Sequence, residues 1–260
     1  MAGVSTIAYA QARIQTRYGE RADARLWLKL HNIQDLGSYL QTAQQTALRP
    51  WVLGLSTSHT SHAIELALRQ KYRHHVDEVA GWMPGDWQES MQWIKRLADL
   101  PVLQYLAAGG EPLHWMASDS DISGFTGDEP LQRLQAMRQA GYRVMVDTWQ
   151  QRNSILSGWI AQWDSMRPKS VFFERGLQAL EKLLHEQLRL QTKQQGLSSS
   201  GDYDIMLDRL RLIFRRYAFQ PAAVTAYLVM IATDIHRVRS DLMQRLFFVQ
   251  GKAVAEGLPQ

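Results

Sequence analysis

PAAVTAYLVMIATDIHRVRSDLMQRLFFVQ, residues 221–250, is the longest patterned stretch of the chain. Pro221 is preorganised for a first helical turn, and Ala222, Ala223 and Ala226 behind it are strong helix formers. Val224, Tyr227, Leu228, Ile231, Ile235, Val238, Leu242, Leu246 and Val249 then recur at intervals of three and four. That interval keeps one apolar stripe on one face of a helix and fits no strand. Up to Ala232 the other faces are apolar too, whereas beyond Asp234 they carry His236, Arg237, Arg239, Asp241, Gln244 and Arg245. The spacing therefore predicts a helix buried all round in its first half and on one side in its second, with other helices packed around it. The apolar run from Ala222 to Ala232 falls well short of the ~20 residues that a membrane span needs.

The same periodicity extends upstream. Phe172 to Gln195 is an amphipathic pattern through Leu177, Leu180, Leu184 and Leu188, stopped by Gly196. Asp202 caps the next, which runs to Phe219 with Met206, Leu207, Leu210, Ile213, Phe214 and Tyr217 inward. Three consecutive long helices with short links pack most simply antiparallel. Further back the patterns shorten. Ile7, Ala10, Ile14 and Tyr18 align on a helix ended by Gly19; a second starts near Asp35 and closes at Pro50; Ile64, Leu68, Tyr72 and Val76 mark a longer one capped by Thr57 or Ser58. Asp86 with Glu89 resembles a capping box, and another helix runs from about Asp99 to Gly109-Gly110. From Met116 to Glu129, Ser, Asp and Gly dominate, which predicts a mobile loop. Val144 to Val146 is briefly strand-like, but the Trp149, Leu156, Trp159, Trp163 series behind it is helical. The fold class expected is all-α: a multi-helix compact body, one domain over residues 1–260, with three long C-terminal helices.

A hydrophobic content of 45% suits a sizeable core. Cysteine is absent, which excludes disulfides and thiolate chemistry and fits a reducing compartment. Residues 1–20 lack a signal-peptide pattern, so a cytoplasmic protein is expected. The formal charge is only +4, with Lys and Arg interspersed among acids, a weak signal for nucleic acid. Nine tryptophans supply large surfaces for a core or an interface.

Asp119, Asp121 and Ser123 followed by Gly124 open like a calcium loop, yet Pro130 stands where the closing Glu belongs, so an Asp/Ser turn is the reading. His59 with His62, and His74 with His75, have no third ligand at metal spacing and are read as solvated or capping. No phosphate-binding loop, dinucleotide fingerprint or nucleophile elbow occurs. Nothing assembles a nucleophile, a base and an oxyanion site, so no catalytic residue, cofactor or metal is expected. Arg215-Arg216 and the group Arg237, Arg239 and Arg245 can meet acidic side chains or phosphate, and the latter three are the candidate interface.

Two short motifs resemble one family. Tyr227, Asp234-Ile235-His236-Arg237-Val238-Arg239, Gly251-Lys252 and Gly257-Leu258-Pro259 follow the C-terminal order of the C-type connector of A-type and V-type rotary ATPases, the d-type connector of eukaryotes, with Asp234 where that family carries Glu. Tyr9-Ala10-Gln11-Ala12-Arg13-Ile14 resembles its opening, with Gln11 in place of Asn. The resemblance implies a reduced pseudo-threefold funnel of helices and a non-catalytic connector between the central stalk and the membrane rotor ring, peripheral at the cytoplasmic face, in ATP-driven ion transport. A helical regulatory or nucleic-acid-binding protein is the alternative. Asp234 lies where the last helix changes from fully to partly buried, and Arg13 lies on the helix of the other motif. An internal Arg13–Asp234 pair is expected, leaving Arg237 and Arg239 for a partner.

Overall fold

A computed structural model describes the backbone of residues 2–193 and 200–255 and the side chains of residues 6–186 and 204–247. Along the chain run α1 (Ala2–Gly19), α2 (Ala24–His31), α3 (Leu36–Gln44), the short α4 (Arg49–Val52) and α5 (Ser61–Ala80). There follow α6 (Gly85–Gln92), α7 (Leu100–Ala107), α8 (Pro130–Met137), α9 (Arg143–Arg152), α10 (Ile155–Met166), α11 (Val171–Lys193), α12 (Ser200–Arg216) and α13 (Pro221–Ala255). No strand forms among the described residues, so the protein is all-α.

Local chemistry sets most of these boundaries. Asp35 accepts a hydrogen bond from the Ser38 amide at 2.7 Å and caps α3 as expected. The cap of α5 is Thr60, whose hydroxyl accepts from the Ala63 amide, not Thr57 or Ser58. Pro50 closes nothing; it occupies the first turn of α4, where its missing N–H costs no bond. Asp86 lies inside the first turn of α6 behind Pro84, so the expected capping box does not form. Asp202 lies within α12, which starts two residues earlier at Ser200. α13 continues through Gly251 to Ala255, while Gly196 and Gly257-Leu258-Pro259 lie outside the described residues, as do the side chains of Leu188, Val249 and Lys252.

By its internal contacts the chain forms two units: Met1–Ile14 with Arg73–Met230, and Gln15–Tyr72 with Ile231–Gln260. In the first, α10 packs against α6, α7, α9 and α11. Trp159 and Trp163, one helical turn apart on α10, are both fully buried with parallel rings 6.4 Å between centroids. Gly158 permits the close approach of α9, since a Cβ there would lie 2.3 Å from the carbonyl oxygen of Met145. The first half of α13, Pro221–Met230, is buried on every face, as its sequence predicts. α11 and α12 run antiparallel: Gly176 lies against Tyr217, and ten residues later Glu186 pairs with Arg209.

In the second unit α3 contacts α2 and α4. Trp27, Leu30, Tyr39, Ile64, Leu68 and Tyr72 are buried, and the second half of α13 turns Val238 and Leu242 inward. This half is buried on one face only, with His236, Ser240, Gln244 and Phe247 exposed.

A candidate partner surface on the last helix

Asp234, 4% exposed, is gripped by a fork from Arg21. Arg21 Nε donates to Oδ2 at 2.8 Å and Nη2 to Oδ1 at 2.9 Å, the bidentate geometry that makes guanidinium–carboxylate bonds short and directional. The expected Arg13–Asp234 pair does not form. Ala10 and Ile14 are fully buried, which turns Arg13 to the exposed side of α1, where its guanidinium lies 4.5 Å over the ring of Trp82 and donates to the Tyr9 hydroxyl. Arg21 follows the helix terminus at Gly19, so no helical face fixes its direction. It can therefore reach a carboxylate 213 positions away.

Arg245 is not an interface residue. It is 4% exposed and spends its donors on backbone carbonyls: Nη2 to Leu30 at 2.9 Å, Nε to Ile33 at 2.8 Å, Nη1 to Asp241 at 2.6 Å. The last carbonyls of a helix have no intrahelical partner, and a cation there opposes the negative end of the dipole, so Arg245 caps the C-terminus of α2. Its guanidinium also lies 4.3 Å over the Tyr39 ring. The Tyr39 hydroxyl donates to Asp241 at 3.2 Å, and burial, aided by that carboxylate, pushes the phenol far above its ordinary range, so it stays a donor. A signal for this burial was present. Val238, Leu242 and Arg245 fall at i, i+4 and i+7, the inward stripe itself.

Arg237 and Arg239 are the candidates that keep access to solvent. Arg237 lies 4.6 Å over the ring of Trp27, half-buried. Arg239 is paired with Glu65 on α5 and retains 40% side-chain exposure. They flank the exposed line His236, Ser240, Gln244 and Phe247, whose last member, 62% exposed, is an apolar contact that polarity alone would not single out. Two arginines held in place on one helix, with a bare phenyl ring more than two turns further along it, suit a wet interface with an acidic or polar partner.

The acidic stretch of the long loop has a structural role. Asp119 is 1% exposed; both its oxygens accept from Arg73, at 2.7 and 3.1 Å, and Arg73 also reaches Asp99, 0% exposed, and Asp121. Arg96 pairs with Asp99 and Asp121, and its guanidinium lies over the ring of Tyr142, whose phenol burial pushes up to about 12. The carboxylates that open like a calcium loop are thus committed to two guanidinium groups. Loop 116–129, expected to be mobile, is anchored through this cluster and by buried Met116, Ile122 and Phe125. His59 closes a turn by accepting from the Ser56 amide at 3.1 Å, the capping role expected of it. Among the described residues no group of three or more His, Asp or Glu is arranged to hold a metal ion.

Comparison with protein-family models, with curated proteins and with solved structures finds no match.

Proposed function

We propose that the chain is a non-catalytic connector of an A-type or V-type rotary ATPase, joining the central stalk to the membrane rotor ring at the cytoplasmic face. The reading rests on the order of the two motifs and on one structural observation. Within Asp234–Arg239 the residues divide, Asp234 turning inward to Arg21 while Arg237 and Arg239 hold solvent-accessible positions. An all-helical body is consistent with it, as is the finding that no helix among the described residues is long and apolar enough to cross a membrane. Torque passes through such a part by shape and polar contact, which requires rigid helices and no reactive group. The nucleic-acid alternative draws no support from Arg73, Arg133, Arg167 and Arg245, which are at most 5% exposed and are committed within the fold.

Co-expression with the stalk and ring proteins of a rotary ATPase tests the proposal. The protein should co-purify with them stoichiometrically and turn over no nucleotide by itself. Arg237→Ala with Arg239→Ala should weaken assembly by about tenfold or more while leaving the melting temperature within a few degrees of wild type. A wild-type chain that joins neither the stalk nor the ring rules the proposal out; a double variant that assembles normally removes α13 as the contact.

A further inference from the structure

The antiparallel pair α11 and α12 leaves an open trough of about 210 Å³ between its outer faces. Gly176 draws the helices together at one end: a Cβ there would lie 3.0 Å from Ala222 Cβ and from the Tyr217 ring. Glu186 paired with Arg209 ties them at the other. The floor is apolar, made by Leu183, Ile213 and Tyr217, and the walls carry Lys182, Arg209 and Arg216. The lining contains one acid, Glu186, and that acid is already paired; the neighbouring Asp208 is tied to Arg211. The net charge of the lining is positive.

The wall continues as an exposed apolar line. Ile205 and Leu212, both on α12, are 60% and 62% exposed and stand seven residues apart, so they share one side of the helix; Phe219, 59% exposed, lies beyond its end. Phe219 adopts φ 63°, a left-handed conformation unfavourable for a bulky side chain, and the Gln11 carboxamide oxygen holds its amide at 3.3 Å. Exposed apolar residues beside a basic trough make a surface suited to contact.

We infer that this trough receives an amphipathic helix of another protein whose apolar edge is flanked by Asp or Glu. Helical anchors at i and i+7 match the spacing of Ile205 and Leu212, and carboxylates along the edges meet Lys182 and Arg216. The inference concerns α12 and stands apart from the ATPase reading.

The probe is a fluorescein-labelled designed helix of about 18 residues, with Leu at helical spacing and Glu flanks, compared with a twin carrying Lys flanks. Anisotropy titration of the full chain should saturate below about 100 µM with the Glu peptide and be about tenfold weaker, or absent, with its twin. Leu212→Glu, at an exposed site that leaves the fold intact, and Lys182→Glu with Arg216→Glu should each weaken binding by about tenfold, with unchanged circular dichroism. Failure to saturate, equal binding of the twins, or indifference to Leu212→Glu would overturn the inference. So would light scattering that shows a dimer lost in Leu212→Glu, which assigns the trough to a second copy, or tighter binding to phosphatidylserine vesicles than to the Glu peptide. No ATPase component is present in this assay, so its outcome is independent of the co-purification result.

Discussion

Replacing Arg73 by methionine removes the guanidinium around which three carboxylates are arranged while keeping most of the side-chain volume. Asp99 retains Arg96 at 3.1 Å, but Asp119, 1% exposed, loses both guanidinium bonds and keeps the Asp121 amide at 3.1 Å. Truncating one member of a buried, hydrogen-bonded pair costs about 3–5 kcal/mol, because the other charge stays desolvated without compensation. Against a total stability of ~5–15 kcal/mol this is a large fraction. At ~2–4 °C per kcal/mol for a protein of this size, the melting temperature should fall by roughly 10 °C. Replacing both partners by neutral groups, Arg73→Met with Asp119→Asn, should recover more than half of the loss, since the buried carboxylate charge is removed together with the guanidinium. Thermal unfolding followed by circular dichroism at pH 8 measures all of this. A single variant within about 1 kcal/mol of wild type at pH 8 would refute the claim that Arg73 anchors loop 116–129.

Asp234→Ala should destabilise by about 3–5 kcal/mol in urea unfolding by removing the buried carboxylate that Arg21 grips, whereas Arg13→Ala should cost about 1 kcal/mol or less; equal losses would argue against the Arg21 assignment. Ile231→Asp, at a position 3% exposed, puts an unpaired charge into the core and should cost several kcal/mol, so an unchanged melting curve would show the core to be elsewhere. Gly158→Ala brings a methyl to within 2.3 Å of a backbone oxygen that cannot rotate away, and a loss of about 1–3 kcal/mol is expected; a neutral result would mean that α9 and α10 are not in contact there.

The helices themselves were legible in the sequence. An amphipathic helix advertises its inward face every three or four residues, so Ile64, Leu68, Tyr72 and Val76, or Leu177, Leu180 and Leu184, declare their burial without reference to any other segment. Caps are equally local, and Asp35 is where its chemistry places it. Partner choice is not local. Arg21 meets Asp234 across 213 positions and Arg73 meets Asp119 across 46, and no periodicity links the members of either pair. A charged side chain binds whichever opposite charge or carbonyl the fold brings within about 3 Å, so the same residue type becomes a helix cap at Arg245, a carboxylate clamp at Arg73 and a candidate contact at Arg237. Helicity and the placement of the apolar faces follow from the order of the amino acids alone, because both depend on neighbours a turn away. The division of the arginines into structural ones and ones left for a partner follows from packing, because burial and acceptor geometry exist only once distant segments meet.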